Sequence, residues 1–484
     1  MMTTGKAYSI VVLCLMLGLL VSQAWGQNLS VFPKEEILLV GGDFRLRSVT
    51  SNIAGASLLG GGESGGFPTQ DGATKSFFDT RLRLYWDFRP SDFLRVHYRM
   101  EIGDVRFGGG TENGSDVTGN LVPVIGPGSG GGVGADGVNV ETKNIFLEFA
   151  MPFLQGLSFR GGIFGYGDRY DFNIIADDFA GFQLLYKRGD VAANFVYLKF
   201  FEGATRDNAD DSSWFGIDGQ LQISEATRAA ATFYYWLDQE HKGTLGFTPY
   251  QYWIASEVTS RLTSGLGPIQ VKGYAIYNHG EGYFGRRQGT NSGANVSLSG
   301  DLSLTFGTVG LQLQYITGER GSKLQLEGGS KDTKNIGAWL GYFNRMYQGP
   351  EIISLGPIID VGDGFSSKWG TGNGFYNGDY NGRLLFIARS AFPVLPSVSL
   401  HAVGAYDRAA ASNANGDYNR GVEFDLWAQW NIYPKLWFRF GGGYYLTGNW
   451  WKNNSDASFD GRRPGVAHPD NIWQFGTRLQ YDFG

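Results

Sequence analysis

The stretch that decides the fold is Phe78-Asp79-Thr80-Arg81-Leu82-Arg83-Leu84-Tyr85-Trp86-Asp87-Phe88-Arg89. Phe78, Thr80, Leu82, Leu84, Trp86 and Phe88 fall on one side of an extended chain, and Asp79, Arg81, Arg83, Tyr85, Asp87 and Arg89 on the other. Two is the period of a β-strand, whereas a helix would scatter both sets around its axis. A strand that alternates apolar with ionic residues separates lipid from water. After Pro90-Ser91-Asp92 the pattern resumes, with Leu94, Val96, Tyr98, Met100 and Ile102 opposed by Arg95, His97, Arg99 and Glu101, so the two segments make a hairpin. It returns from Val422 to Ile432 and again from Trp473 to Phe483, which reads as a closing strand with a near-terminal aromatic.

Followed along the chain, the pattern predicts strands near 37–48, 76–89, 93–107, 139–150, 156–166, 179–187, 191–201, 212–223 and 228–238. It continues near 250–262, 268–278, 293–304, 308–318, 381–392, 397–408, 420–432, 435–446 and 471–483. Each segment is near the length of about ten residues that a tilted strand needs to cross a bilayer. Connections alternate: Arg188-Gly189-Asp190 and Tyr433-Pro434-Lys435 are short, and the segments about 104–138 and 319–380 are the longest. Periplasmic turns are tight and outside loops long in barrels of this kind. The fold class is therefore all-β, a transmembrane antiparallel up-and-down β-barrel of about 18 strands with both termini periplasmic. Trp86, Phe88, Phe149, Trp430, Tyr433, Trp437, Tyr444, Tyr481 and Phe483 fall near strand ends, where aromatic girdles sit.

Composition agrees. Seventy-four glycines and 15% aromatics accompany only 18% charged residues, and a mean hydropathy of −0.20 excludes a helical membrane protein. The formal charge of −6 points to no nucleic acid. Residues 1–26 read as a signal peptide, with Lys6 as positive flank, an apolar run from Ala7 to Val21 and Ala24-Trp25-Gly26 before the cleavage point, leaving 27–484 as the barrel. The one cysteine, Cys14, lies in that leader, so no disulfide is expected. The localisation this implies is the cell outer membrane, with its lipids as the surround.

The hairpin Phe77-Phe78-Asp79-Thr80-Arg81-Leu82-Arg83-Leu84 through Pro90-Ser91-Asp92, the run Phe159-Arg160-Gly161-Gly162 to Tyr166-Gly167-Asp168-Arg169, and Asp178-Phe179-Ala180-Gly181-Phe182 resemble the alginate-export family of outer-membrane porins. That family more often has Gly-Arg-Gln where this chain has Phe159-Arg160-Gly161, and the resemblance covers about a third of the chain. It implies an 18-stranded barrel with a charged lumen, selectivity for anionic or small polar solutes, and a monomer. The residues themselves leave monomer and trimer open.

A barrel of this size is too wide for its strand side chains to fill, so it conducts or carries loops folded inward. Arg45, Arg47, Arg81, Arg83, Arg95, Arg99, Arg160, Arg389, Arg439 and Arg478 fall on the polar faces, and where the last strand meets the first Arg439 and Arg478 share a basic wall with Arg45, Arg47, Arg81 and Arg83, with Glu101 among the acidic partners in the lumen. A turn of Pro90-Ser91-Asp92 alone would pair Asp87 with Arg95 and Arg81 with Glu101 and set Arg83 against Arg99, a like-charge pair that invites an anion. The pore-lining and selectivity candidates are therefore Arg45, Arg47, Arg81, Arg83, Arg95, Arg99, Glu101, Arg160, Arg439 and Arg478. Bracing of the wall by salt bridges is the competing reading of the same arginines.

Constriction is expected from the 319–380 loop, whose stretch Trp339 to Tyr347 is aromatic enough to pack on something. Asp207, Asn208, Asp210 and Asp211, and Asp360 with Asp363, offer oxygen ligands, but neither run has the EF-hand spacing and both suit turns, so no metal is assigned. No cofactor is expected, since no Cys-x-x-Cys-His haem site occurs. Only His97 and His401 of five histidines fall on strands and no triad forms around them, so an enzyme is not predicted. The function expected is a porin for passive diffusion of small polar, anionic solutes. The alternatives are an alginate-like polysaccharide export channel or a sheath barrel enclosing a partner.

Overall fold

The computed structural model describes residues 38–52, 75–107, 140–201, 211–239, 248–284, 287–319, 335–337, 339, 350, 353, 382–412, 416–452 and 471–484. The leader, most of both long loops, and Asp207, Asn208, Asp210, Asp360 and Asp363 lie outside these residues.

Eighteen strands form the wall. They are β1 Leu38–Ser51, β2 Lys75–Ser91, β3 Leu94–Arg106, β4 Val140–Ala150, β5 Leu157–Gly167, β6 Ala176–Arg188, β7 Val191–Phe201, β8 Ser212–Gln222 and β9 Thr227–Asp238. The second half comprises β10 Tyr250–Ser264, β11 Gly267–Phe284, β12 Arg287–Leu304, β13 Gly307–Ile316, β14 Arg383–Leu395, β15 Val398–Arg408, β16 Asn419–Tyr433, β17 Leu436–Thr447 and β18 Ile472–Phe483. Successive strands pair antiparallel, and β18 pairs with β1 from Ser51↔Gln474 to Gly42↔Phe483, so the sheet closes on itself. A two-residue segment, Asn335–Ile336, adds in parallel to Thr290 and Asn291 of β12.

The alternation read from the sequence is the alternation of burial. In β10, Ile254 and Val258 are 53% and 50% exposed, while Ala255 and Glu257 between them are 4% and 3% exposed. Outward apolar residues such as Phe44, Ile217, Leu298, Leu311 and Phe424 are exposed, and Arg45, Arg47, Asp79 and Gln314 are buried. That is the inverse of a water-soluble protein and suits a barrel with lipid outside.

Two expectations are corrected. β11 and β12 run 18 residues each, well past 278 and back before 293. The added stretch from His279 to Ser292 is polar and glycine-rich, so backbone pairing alone extends it and no alternation announces it. In the β2–β3 hairpin the chain turns at Asp92-Phe93, with an irregularity between Phe88 and Ser91, and the pairing slips by two residues. Arg83 therefore faces Glu101, Tyr85 faces Arg99, Asp87 faces His97, and no Arg83–Arg99 pair forms. Arg81 lies opposite Arg45 and not Glu101.

At the β5–β6 hairpin the ladder to the neighbouring strands is incomplete. β4 and β5 pair only from Ala150↔Ser158 to Ile145↔Ile163, and β6 and β7 only from Arg188↔Val191 to Ala180↔Lys199. β5 and β6 remain paired to Gly167↔Ala176. Beyond Ile163 and Ala180 the tip of this hairpin has left the backbone ladder of both neighbours; Asp178 still meets Asn144 of β4 and Phe179 meets Phe200 of β7, and other side chains reach across the lumen. Gly162 and Gly181, paired at the bend, permit this. Gly162 has φ +136°, and a Cβ there would sit 2.2 Å from the Ile145 carbonyl oxygen; a Cβ at Gly181 would sit 2.0 Å from that of Tyr197. Only glycine accepts such backbone geometry without strain.

Gly162→Ala should therefore destabilise the barrel by at least about 1 kcal/mol. The check is the urea midpoint of the detergent-refolded protein, and a midpoint equal to wild type would count against the bend needing glycine.

Candidate functional site in the barrel lumen

The connection between β5 and β6 is held in place by its own chemistry before it meets the opposite wall. The Asp168 carboxylate accepts the backbone N–H groups of Tyr170 at 2.7 Å, Ile174 at 2.7 Å and Ile175 at 2.8 Å, closing residues 168–175 into a compact ring. Asp168 lies outside the membrane-spanning strands. Burial pushes its pKa up to about 6, against the pull of the three N–H donors that favour the carboxylate.

From this ring, side chains reach five other strands. Arg169 bonds Asp218 of β8 at 2.9 Å, and Tyr170 Oη bonds Thr232 of β9 at 2.6 Å. Asp171 takes Lys272 of β11 at 2.6 Å. Asn173 donates to Tyr274 Oη of β11 at 3.1 Å and accepts from Asn295 of β12 at 3.2 Å and Gln314 of β13 at 3.0 Å. Around these polar pins Tyr166, Tyr170, Ile174 and Ile175 pack with Trp214, Tyr234, Trp253, Tyr274 and Ile316, all within 8% exposure. Trp339 of the 319–380 loop joins the same cluster. The β5–β6 connection thus fills the lumen in front of β8–β13. The expected constriction by the later loop is met only in part, by Trp339 here and by Ile353, which packs with Leu385, Val403 and Tyr445 on the other side.

The opposite face of the tip looks towards β3 and β4, where Asp178 accepts the Asn144 amide at 2.9 Å. Along that side the side chains of Arg83, Arg95, Arg99 and Arg160 retain 24%, 32%, 32% and 23% exposure. Those values leave these four arginines partly accessible, in contrast to the sealed cluster.

All ten candidate residues face the lumen, and the register shows how they combine. Cross-strand partners run Gln429, Arg439, Arg478, Arg47, Asp79 from β16 to β2 in one row. The neighbouring row runs Gln480, Arg45, Arg81, and the next Asp482, Asp43, Arg83, Glu101. Arg439 is three residues from the short-turn end of β17, and Asp79 four from the long-loop end of β2, so with tilted strands the first row climbs through the wall. It carries three arginines to one carboxylate.

The contacts divide these residues into braces and others. Arg83 pairs with Glu101, which also meets Lys143 at 3.5 Å. Asp87 takes Arg95 at 2.7 and 3.0 Å, although His97 is its register partner, and Arg160 takes Glu148 at 2.8 Å. Arg47 bonds Asp79 at 3.1 Å, Arg45 lies 3.6 Å from Asp79, and Arg81 and Arg99 lie 3.5 and 3.8 Å from Asp43. Arg439 donates to Gln429 at 2.7 Å and Arg478 to Gln480 at 3.0 Å, and both guanidinium groups lie over the Trp437 ring, at 4.4 and 5.1 Å. Such cation–π placement keeps a guanidinium aligned while leaving its charge in place. Among the described residues no group of three or more metal-ligating side chains converges.

The pins Arg169, Asp171, Asn173, Lys272, Asn295 and Gln314 were not among the sequence candidates. The polar run Asp168-Arg169-Tyr170-Asp171 in a connection on the long-loop side was the one available signal, but its partners lie up to 141 residues away.

No protein-family profile and no curated protein matches the sequence. Solved structures do match in fold. The structure of Pseudomonas aeruginosa OpdK with vanillate has a TM-score of 0.51 at 11% identity, P. aeruginosa OccK9 (OpdG) 0.52 at 9%, and P. aeruginosa OccK8 (OprE) 0.50 at 11%. Each comparison covers 92% of this chain and 98% of the other. At such identity the likeness establishes the fold, a closed 18-stranded barrel of the outer-membrane porin type. It is a likeness to the general porin barrel and does not single out the alginate-export family.

Replacing Asn173 with Ala removes the joint bond to β11, β12 and β13 and leaves buried amides without it, at a cost of about 1–3 kcal/mol. Single-channel recordings should then show a larger and noisier conductance, and an unaltered trace would mean that Asn173 does not hold the tip.

Proposed function

We propose that this protein is an outer-membrane channel through which small polar solutes, preferentially anions, diffuse passively. The observation that carries this reading is the row Arg439, Arg478, Arg47, which sets three arginines against one carboxylate, Asp79, although Arg478 and Arg47 are themselves buried. Rings and rows of fixed charge set selectivity in pores because a solute sheds part of its hydration beside them. Arg83, Arg95 and Arg160 are paired with carboxylates and brace the wall, which is the role the sequence weighed against selectivity. The climbing row supports selectivity on top of that bracing.

Further support comes from OpdK, which was solved with vanillate, a carboxylate. In this reading the apolar belt sits in the cell outer membrane, with short turns and both termini in the periplasm. Transport needs no catalytic group.

Export of an anionic polysaccharide, the activity implied by the resemblance to alginate-export barrels, is the second reading and would use the same arginines. The resemblance itself supports it: its segments lie in β2, β5 and β6, which build the wall and the inward tip. A sheath around a partner protein is disfavoured, because the β5–β6 tip occupies the space that such a partner would need.

The test is the reversal potential of the refolded protein in a planar bilayer under a KCl gradient. The wild-type channel should favour chloride, and Arg439→Gln with Arg478→Gln should cut the chloride-to-potassium permeability ratio roughly two- to threefold. A cation-favouring wild type, or an unchanged ratio in the double variant, would overturn the anion preference. Block of chloride current by oligomannuronate at concentrations where acetate has no effect would favour the polysaccharide reading.

A further inference from the structure

The lumen arginines of β2–β5 are not all held alike. Arg83 is hydrogen-bonded to Glu101, Arg95 to Asp87 at 2.7 and 3.0 Å, and Arg160 to Glu148 at 2.8 Å. For Arg99 the nearest carboxylate oxygen, on Asp43, lies at 3.8 Å, too far for a hydrogen bond. Among the described residues its guanidinium has no hydrogen-bond acceptor, its Nε is buried without one, and its side chain keeps 32% exposure. A guanidinium presents five N–H donors in a planar fork. Here that fork is left to whatever enters the lumen.

The carboxylates around Arg99 are committed elsewhere. Glu101 holds Arg83 and meets Lys143, Glu141 takes Lys143 at 2.8 Å, and Asp178 accepts the Asn144 amide at 2.9 Å. Asp43 lies 3.5 Å from Arg81 as well as 3.8 Å from Arg99, so it serves two guanidinium groups and holds neither at the distances of the Arg95 and Arg160 pairs. Arg81 and Arg83 are the cationic neighbours.

A second unused donor stands beside the first. Tyr85, half-buried, is the register partner of Arg99 across β2–β3 and of Gly41 across β1–β2. Its ring leans onto Gly41, where an added Cβ would meet the hydroxyl oxygen at 2.4 Å. Arg99 reaches over the same strand to Asp43, the next lumen-facing position of β1. The two side chains thus end at adjacent lumen positions, and among the described residues the Tyr85 hydroxyl makes no hydrogen bond.

We infer that Arg99 and Tyr85 form a carboxylate-binding subsite of the channel, the guanidinium taking both oxygens of the solute and the phenol hydroxyl donating a further bond. The inference rests on the anion-channel reading above and deepens it. The arginine row admits anions by charge, and this pair separates carboxylates from halides, because two oxygens match a planar fork and a spherical ion does not.

The experiment is transient block of chloride current by acetate in single channels of the full protein. Arg99→Lys keeps the charge and loses the fork, and Tyr85→Phe keeps the ring and loses the hydroxyl. Acetate dwell time should fall about three- to tenfold in either variant, with the chloride-to-potassium ratio as in wild type, a pattern that loss of a merely bracing contact does not produce. Arg99→Gln should shorten the dwell and lower the ratio together. Wild-type dwell times in both conservative variants, or no acetate block of the wild-type channel, would refute the subsite and leave the anion channel standing. A wild-type protein that favours potassium or forms no channel would remove the channel reading itself, and this inference with it.

Discussion

A strand in lipid has no water with which to satisfy its backbone, so every N–H and C=O at membrane depth must bond to another strand or be shielded by protein. The closed ladder from β1 round to β18 and back is the answer to that demand, and the rest of the molecule follows from its size. Eighteen strands enclose more space than their own side chains fill. The chain resolves this by bending one hairpin inward at Gly162 and Gly181 and welding its tip to the far wall. The bend takes the tip out of the ladder on both sides, and its polar groups find partners across the lumen.

The weld decides where solvent can go. Its two charged contacts, Arg169 with Asp218 and Lys272 with Asp171, pair opposite charges and leave that half of the lumen electrically balanced and packed with aromatic side chains. On β1–β5 and β16–β18 arginines outnumber carboxylates along a rising row. Trp437 under Arg439 and Arg478 orients two guanidinium groups that donate hydrogen bonds to Gln429 and Gln480, while Arg160 lies over Phe146 at 4.8 Å and also pairs with Glu148.

How far the sequence could be read depended on the range of the interaction concerned. The alternation in β2, β3 and β16 is a local property, and the strands lie where it put them. Lumen-facing positions of the ten candidates follow from the same parity. The β2–β3 register failed because a turn at Asp92-Phe93 in place of Pro90-Ser91-Asp92 moves every pair by two, and both turns suit the same residues. β11 and β12 were cut short because their added portions are polar and glycine-rich and so carry no apolar period.

By itself, then, the sequence determined a lipid-facing and a water-facing side for each strand, the number of strands, and a lumen rich in arginine, because a period of two is written residue by residue. Only the tertiary structure decided which arginines are braced and which form the climbing row, and which connection crosses the lumen. Those depend on registers and on contacts such as Asn173 with Gln314 and Asp171 with Lys272, made between residues more than a hundred positions apart. Glycines at 162 and 181 look like any others among 74 until the paired backbones beside them are in place. A closing barrel brings such groups together through the summed stagger of all its strands, a quantity that no single segment of sequence contains.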